Sequence, residues 1–158
     1  MAILSISTNT RLLGLAIITE QGLQDFSIRL YKAPWSPRKA NLMITGLEPC
    51  VRQYCPKTVI LSIPPLHYQT KEWQMFKNLL CNHFAARGIA VQLCEHTKLH
   101  ALCTPDVRPT KDALMQSMAL AYPQLRRLYK RELRNKHRYY IKLFEAVGAA
   151  HLCMHLHK

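Results

Sequence analysis

With 158 residues, 49% of them hydrophobic and 20% charged, the chain has the composition of one globular domain with a sizeable core, which excludes wholesale disorder. Lys and Arg total 22 against 9 Asp and Glu, a formal net charge of +13 that selects polyanionic partners, nucleic acid ahead of an anionic membrane surface. The apolar run at residues 2–7 opens the chain and predicts a first strand, closed by the turn-prone Thr8-Asn9-Thr10. A second run covers residues 12–19. Glu20-Gln21-Gly22 then makes a hairpin connection, and residues 23–32 alternate through Phe26, Ile28 and Leu30. Three strands joined by tight turns form a meander.

The period then changes. Ser36-Pro37 is a helix start, a capping side chain before a first-turn proline, and Ile44, Leu47, Val51 and Tyr54 follow at helical spacing up to Pro56. Residues 58–63 read as a fully buried strand, broken by Pro64-Pro65. A second helix carries Trp73, Phe76, Leu80 and Phe84 on one face and stops at Arg87-Gly88. Residues 89–95 alternate as another strand. A loop with Pro105 and Pro109 leads to a helix through Ala113, Leu114 and Met118, and a last helix spans residues 138–154 with Tyr140, Phe144, Val147 and His151 in phase.

No repeat, low-complexity block or shift in composition divides the chain, so residues 1–158 are read as one domain. The element order βββαβαβαα combines a meander with two crossovers, a mixed five-stranded α/β sheet covered by helices. That order is the ribonuclease-H-like architecture. The six cysteines form no C-x-x-C pair and several sit among apolar neighbours, as expected of reduced thiols in a cytoplasmic protein. Met1-Ala2-Ile3-Leu4 lacks the basic region of a signal peptide, and no apolar run reaches the length of a membrane span.

Four segments, in order, resemble RuvC-type Holliday junction resolvases. Ile3-Leu-Ser-Ile-Ser7-Thr-Asn-Thr-Arg11-Leu-Leu-Gly14 is similar to the family's first hairpin, I-L-G-I-D-P-G-S/T-R-x-x-G. Lys57-Thr-Val-Ile-Leu-Ser62 is similar to its central strand, which ends in a catalytic Glu. Lys98-Leu-His-Ala-Leu-Cys-Thr-Pro with Lys111-Asp112-Ala-Leu resembles V-K-x-x-V-x-G…K-x-x-V. Lys142-Leu-Phe-Glu145-Ala-Val-Gly-Ala-Ala-His151 resembles the closing helix, D-A-x-D-A-x-A-x-A-x-x-H. The YqgF-like group shares the fold and fits the middle of the chain.

The resemblance implies a site where carboxylates hold two divalent metals, Mg²⁺ or Mn²⁺, against a phosphodiester. Here the first-strand Asp is Ser7 and the central-strand Glu is Ser62, or Ile63 if the register slips by one. The first closing-helix Asp is Lys142, and only Glu145 keeps its carboxylate. No metal or other cofactor is therefore expected unless a rearranged set uses Glu145 with Glu95. Read without the family, Glu145 is a surface or salt-bridged helix acid, its partner Lys142 or Arg138. Asp112 reads as a first-turn helix acid, and His151 with His155 as a frayed helix end ahead of a zinc site.

The other feature is a basic run: Arg126, Arg127, Lys130, Arg131, Arg134, Lys136, His137, Arg138 and Lys142, interleaved with Tyr129, Tyr139 and Tyr140. Glu132 is the acid among them. Such a run neutralises phosphates, or else is a solvated helix face. The leading expectation is a catalytically degenerate RuvC-like protein that binds branched or structured DNA without cutting it. Beside it stand an active metal-dependent endonuclease and a protein-interaction module, most simply a homodimer.

Overall fold

The computed structural model describes residues 1–103, 108–135 and 138–156, and everything below concerns those residues. Five strands form one sheet: β1 Ile3–Thr8, β2 Leu12–Thr19, β3 Gly22–Leu30, β4 Thr58–Ile63 and β5 Val91–Glu95. The spatial order is β3-β2-β1-β4-β5. β1 to β3 are antiparallel, while β4 pairs parallel with β1 (Ile6 opposite Leu61) and β5 parallel with β4 (Ser62 opposite Cys94). The expected mixed sheet is therefore present, with the predicted strands in place to within two residues at each end.

The helices are α1 Pro37–Thr45, α2 Glu48–Tyr54, α3 Lys71–Ala85, α4 Lys111–Ala121, α5 Arg126–Arg134 and α6 Ile141–Leu156. Ser36, Thr70 and Thr110 cap three of them, each side-chain oxygen accepting from the backbone N–H three residues on. Two differences from the expected βββαβαβαα order appear. The single helix expected from Ser36 to Tyr54 is two, because Gly46 and Leu47 end α1 and Pro49 suits only the first turn of a new helix. Part of the basic run forms a helix of its own, α5.

α1 to α3 cover one face of the sheet around Leu4, Ile6, Leu13, Leu15, Val59 and Leu61, whereas α4 to α6 cover the other around Ile3, Ala16, Ile18 and Ile60. A strand buried on both faces reads as a continuous apolar run, which is why β1 shows no alternation. α6 is apolar almost all round, with Leu143, Phe144, Ala146, Val147 and Ala150 fully buried, and it lies across β2, β1 and β4. All six cysteines are free, and burial raises the pKa of five of them, Cys50, Cys81, Cys94, Cys103 and Cys153. Among the described residues no helix is long and apolar enough to cross a membrane.

Candidate functional site

Side chains two apart on a strand share a face, so the positions that follow Ile3 and Ile60 into the α6 side are Ser5, Ser7 and Ser62. The β1–β2 turn fixes the end of β1. Asn9 Oδ1 accepts from the backbone N–H of Arg11 and Leu12, and the Thr8 hydroxyl donates to Leu12 O. The turn requires Thr10 at φ 72°, a left-handed conformation that a residue with a Cβ adopts at a cost of roughly 1 kcal/mol. Trp73 Nε1 donates to Thr8 O across 3.2 Å and ties α3 to the same corner.

Above this corner the first turns of α6 come unusually close to β2. A Cβ on Gly14 would lie 2.3 Å from the carbonyl carbon of Lys142, so only glycine permits the approach. The helix then lowers Glu145, 4% exposed, onto Ser7, whose hydroxyl stands 3.5 Å from Glu145 Oε1, the outer limit of a hydrogen bond. Lys142 Nζ is 3.0 Å from the same oxygen. His96 Nδ1 is 3.1 Å from Glu145 Oε2. Ser62 faces the same side; its hydroxyl, and that of Ser5, is buried with no hydrogen-bond partner among the described residues.

Ser7, Glu145 and Lys142 are thus brought together: of the two readings of Glu145 as a helix acid, the salt bridge to Lys142 is present, and the carboxylate is buried, not on the surface. Glu95 is not brought to it. Cys94 packs on the α6 side, so the next residue points to the opposite side, where Glu95 is exposed. The residue missed is His96, whose one available signal is its place just beyond the end of a parallel strand, where clefts of open α/β sheets form.

Burial pushes the His96 imidazole below its ordinary pKa; Glu145 pulls it up, while Lys142, Lys111 and His100 push it further down. An unfolded chain therefore takes up this proton at a higher pH than the folded one. The stability tied to a neutral His96 is complete above the ordinary histidine value and is lost as pH falls through the lower folded value. We expect melting temperature to drop between about pH 7.5 and about pH 5.5, and to drop less in His96→Asn. Identical pH profiles for the two proteins would show that His96 is not responsible.

The basic run divides into three. Arg126, Arg127, Lys130, Arg131 and Arg134 are exposed on α5 and, with Pro123 and Gln124, line a groove of about 520 Å³. None of the five pairs with an acidic side chain among the described residues. Arg138 pairs with Asp112 at 2.6 Å, and Lys142 with Glu145. Lys136 and His137 lie outside the described residues. Glu132, the acid of α5, is fully buried and turned inward; its carboxylate accepts from the backbone N–H of Tyr139 at 2.9 Å and of Tyr140, just before α6. Tyr129 and Tyr140 pack against the core. The rings of His151 and His155 are in tilted contact, with centroids 4.1 Å apart, and His151 Nδ1 bonds the Tyr122 hydroxyl at 2.7 Å.

No family model and no curated protein matches the sequence. Solved structures do match. Thermus thermophilus RuvC superposes with a TM-score of 0.69 at 12% identity, over 98% of this chain and 96% of that one. T. thermophilus RuvC in complex with Holliday junction substrate gives 0.68 at 12% identity over the same shares. Fowlpox virus resolvase in complex with Holliday junction DNA gives 0.56 at 14% identity, over 99% of this chain and 98% of that one. At such identities the likeness concerns the chain's path, and on that ground the fold is ribonuclease-H-like.

Proposed function

We propose that residues 1–158 form a single domain of the RuvC-type group that binds branched or structured nucleic acid, DNA in the first place, without cutting it. The observation that carries this reading is α5: five exposed cations around one groove, none paired with an acid among the described residues, the helix's own acid being turned into the core. A surface of that kind exchanges condensed counterions for phosphates and gives affinity that does not depend on sequence. The solved structures of RuvC and of the fowlpox enzyme with Holliday junctions support the choice of a branched ligand.

The absence of cutting rests on the donor set. Two divalent cations need several hard anionic oxygens. Among the described residues one carboxylate is present here, with an ammonium 3.0 Å away and an imidazole on its second oxygen. The hydroxyls of Ser7 and Ser62 are neutral. These residues do not fit a two-metal site, and Glu95 faces away from it.

The test is binding and cleavage of a four-way DNA junction with Mg²⁺ or Mn²⁺ present. The expected result is salt-sensitive binding with the junction recovered intact. Arg127→Gln, Arg131→Gln and Arg134→Gln together should flatten the log–log salt slope by about two to three units, since each phosphate neutralised on duplex DNA contributes roughly 0.9. A folded triple variant with an unaltered slope would reduce α5 to a solvated face. Metal-dependent cuts that vanish in Glu145→Ala would replace the reading with an active nuclease.

A further inference from the structure

We infer that α5 depends on a bound polyanion for its helical form, and that Glu132 passes the stabilisation it gains on binding to the start of α6. The inference rests on the nucleic-acid reading above and names how occupancy of α5 reaches the corner formed by Ser7, Lys142 and Glu145. The first ground is how little favours α5 as a helix. It has no side-chain cap and no acid in its first turn, and Arg126 and Arg127 meet the positive end of the helix dipole. Arg126–Lys130, Arg127–Arg131 and Lys130–Arg134 stand four residues apart, and Arg127–Lys130 and Arg131–Arg134 three apart. Each is a like-charge pair that opposes the helix. Glu132 relieves none of them, since its neighbours at those spacings within α5 are Leu128 and Tyr129.

The second ground is how α5 is anchored. Glu132 is its one fully buried residue; Leu128 and Tyr129 are half-buried against the core, and Leu133 is 54% exposed. A buried carboxylate needs donors, and these are the backbone N–H groups of Tyr139 and Tyr140 and the Asn135 side-chain amide at 3.0 Å. α6 has no acid in its own first turn and carries Lys142 there, so Glu132 supplies the negative charge that its N-terminus favours. One carboxylate thus completes two helices. When α5 unwinds, the start of α6 loses its acceptor; when that start lifts, α5 keeps a buried charge without its donors. The two openings are coupled, and such coupling is reciprocal. Whatever factor a bound polyanion adds to the seating of Lys142 and Glu145 on Ser7, that seating adds to the affinity for the polyanion.

The experiment follows amide hydrogen exchange of the full chain, free and saturated with the four-way DNA junction. Tyr139 and Tyr140 do not line the groove, so slower exchange of their amides is not shielding by the ligand. Their exchange is expected to slow about tenfold or more on binding, together with that of α5, while the turn between α1 and α2 on the other face of the sheet stays unchanged. Two variants keep all five cations: Glu132→Gln retains an acceptor oxygen without the charge, and Glu132→Leu retains neither. Junction affinity is expected to fall about tenfold in Glu132→Leu and less in Glu132→Gln, and Tyr139 and Tyr140 to gain no protection from the junction in Glu132→Leu. A residue that only capped α6 would lower the melting temperature and leave affinity as it was. If Glu132→Leu does not fold, the exchange of the wild-type chain and the affinity of Glu132→Gln decide. Tyr139 and Tyr140 amides that exchange equally fast in the free and bound chain would overturn the inference, as would folded variants with wild-type affinity. With either result and a bound junction, this inference fails and the function proposed above stands; if no nucleic acid binds, both fail.

Discussion

Gly14→Ala is expected to lower folding stability by about 3 kcal/mol or more, at the upper end of what overpacking costs. The added methyl would meet the Lys142 carbonyl carbon at 2.3 Å and its oxygen and Leu143 N at 2.4 Å. These are backbone atoms, so no rotamer change relieves the clash and α6 must lift from β2. That helix carries much of one core, with Phe144, Val147 and Ala150 among its buried residues, and separation along its length exposes apolar surface on both sides. A loss of this size is a large part of a typical domain's stability of about 5–15 kcal/mol. Urea unfolding measures it. A midpoint equal to wild type would mean that α6 does not rest on β2 as described.

Lys142→Ala should cost about 3 kcal/mol, for a different reason. Glu145 is buried, and the Lys142 side chain that balances it is itself only 13% exposed. Removing one partner of a buried pair strands the other, which costs more than the pair contributes. Replacing both, as Lys142→Met with Glu145→Gln, should therefore cost less than the sum of the single changes. His96 remains beside Glu145 in the single variant and limits the loss. Strict additivity in the double-mutant cycle would show that the two side chains are not coupled.

The sheet was legible because β1, β2 and β4 are apolar runs of strand length bounded by turns, and the start of α1 was legible because the capping Ser36 precedes a first-turn proline. The break between α1 and α2 was hidden because the apolar period continues through it: Ile44, Leu47 and Val51 stay buried on the same core while the backbone changes direction. Ser7 and Glu145 were legible as a pair through the resemblance of β1 and α6 to the resolvase pattern, and they do meet. Glu95 attracted attention by its charge, but alternation along β5 decides what that strand offers the site, and the next residue, His96, supplies the contact. In the basic run, residue type alone does not separate the five cations that face solvent from Arg138 and Lys142, which have acids of their own. That division depends on where Asp112 and Glu145 lie in space.

The ion pair between residues 142 and 145 spans one turn of a single helix, so the chain carries its own counter-charge for Glu145. A dissociable ion leaves its site when its free concentration falls or a chelator removes it. A cation attached to residue 142 can do neither. The counter-charge of Glu145 is therefore in place as soon as α6 docks, whatever the concentration of free metal.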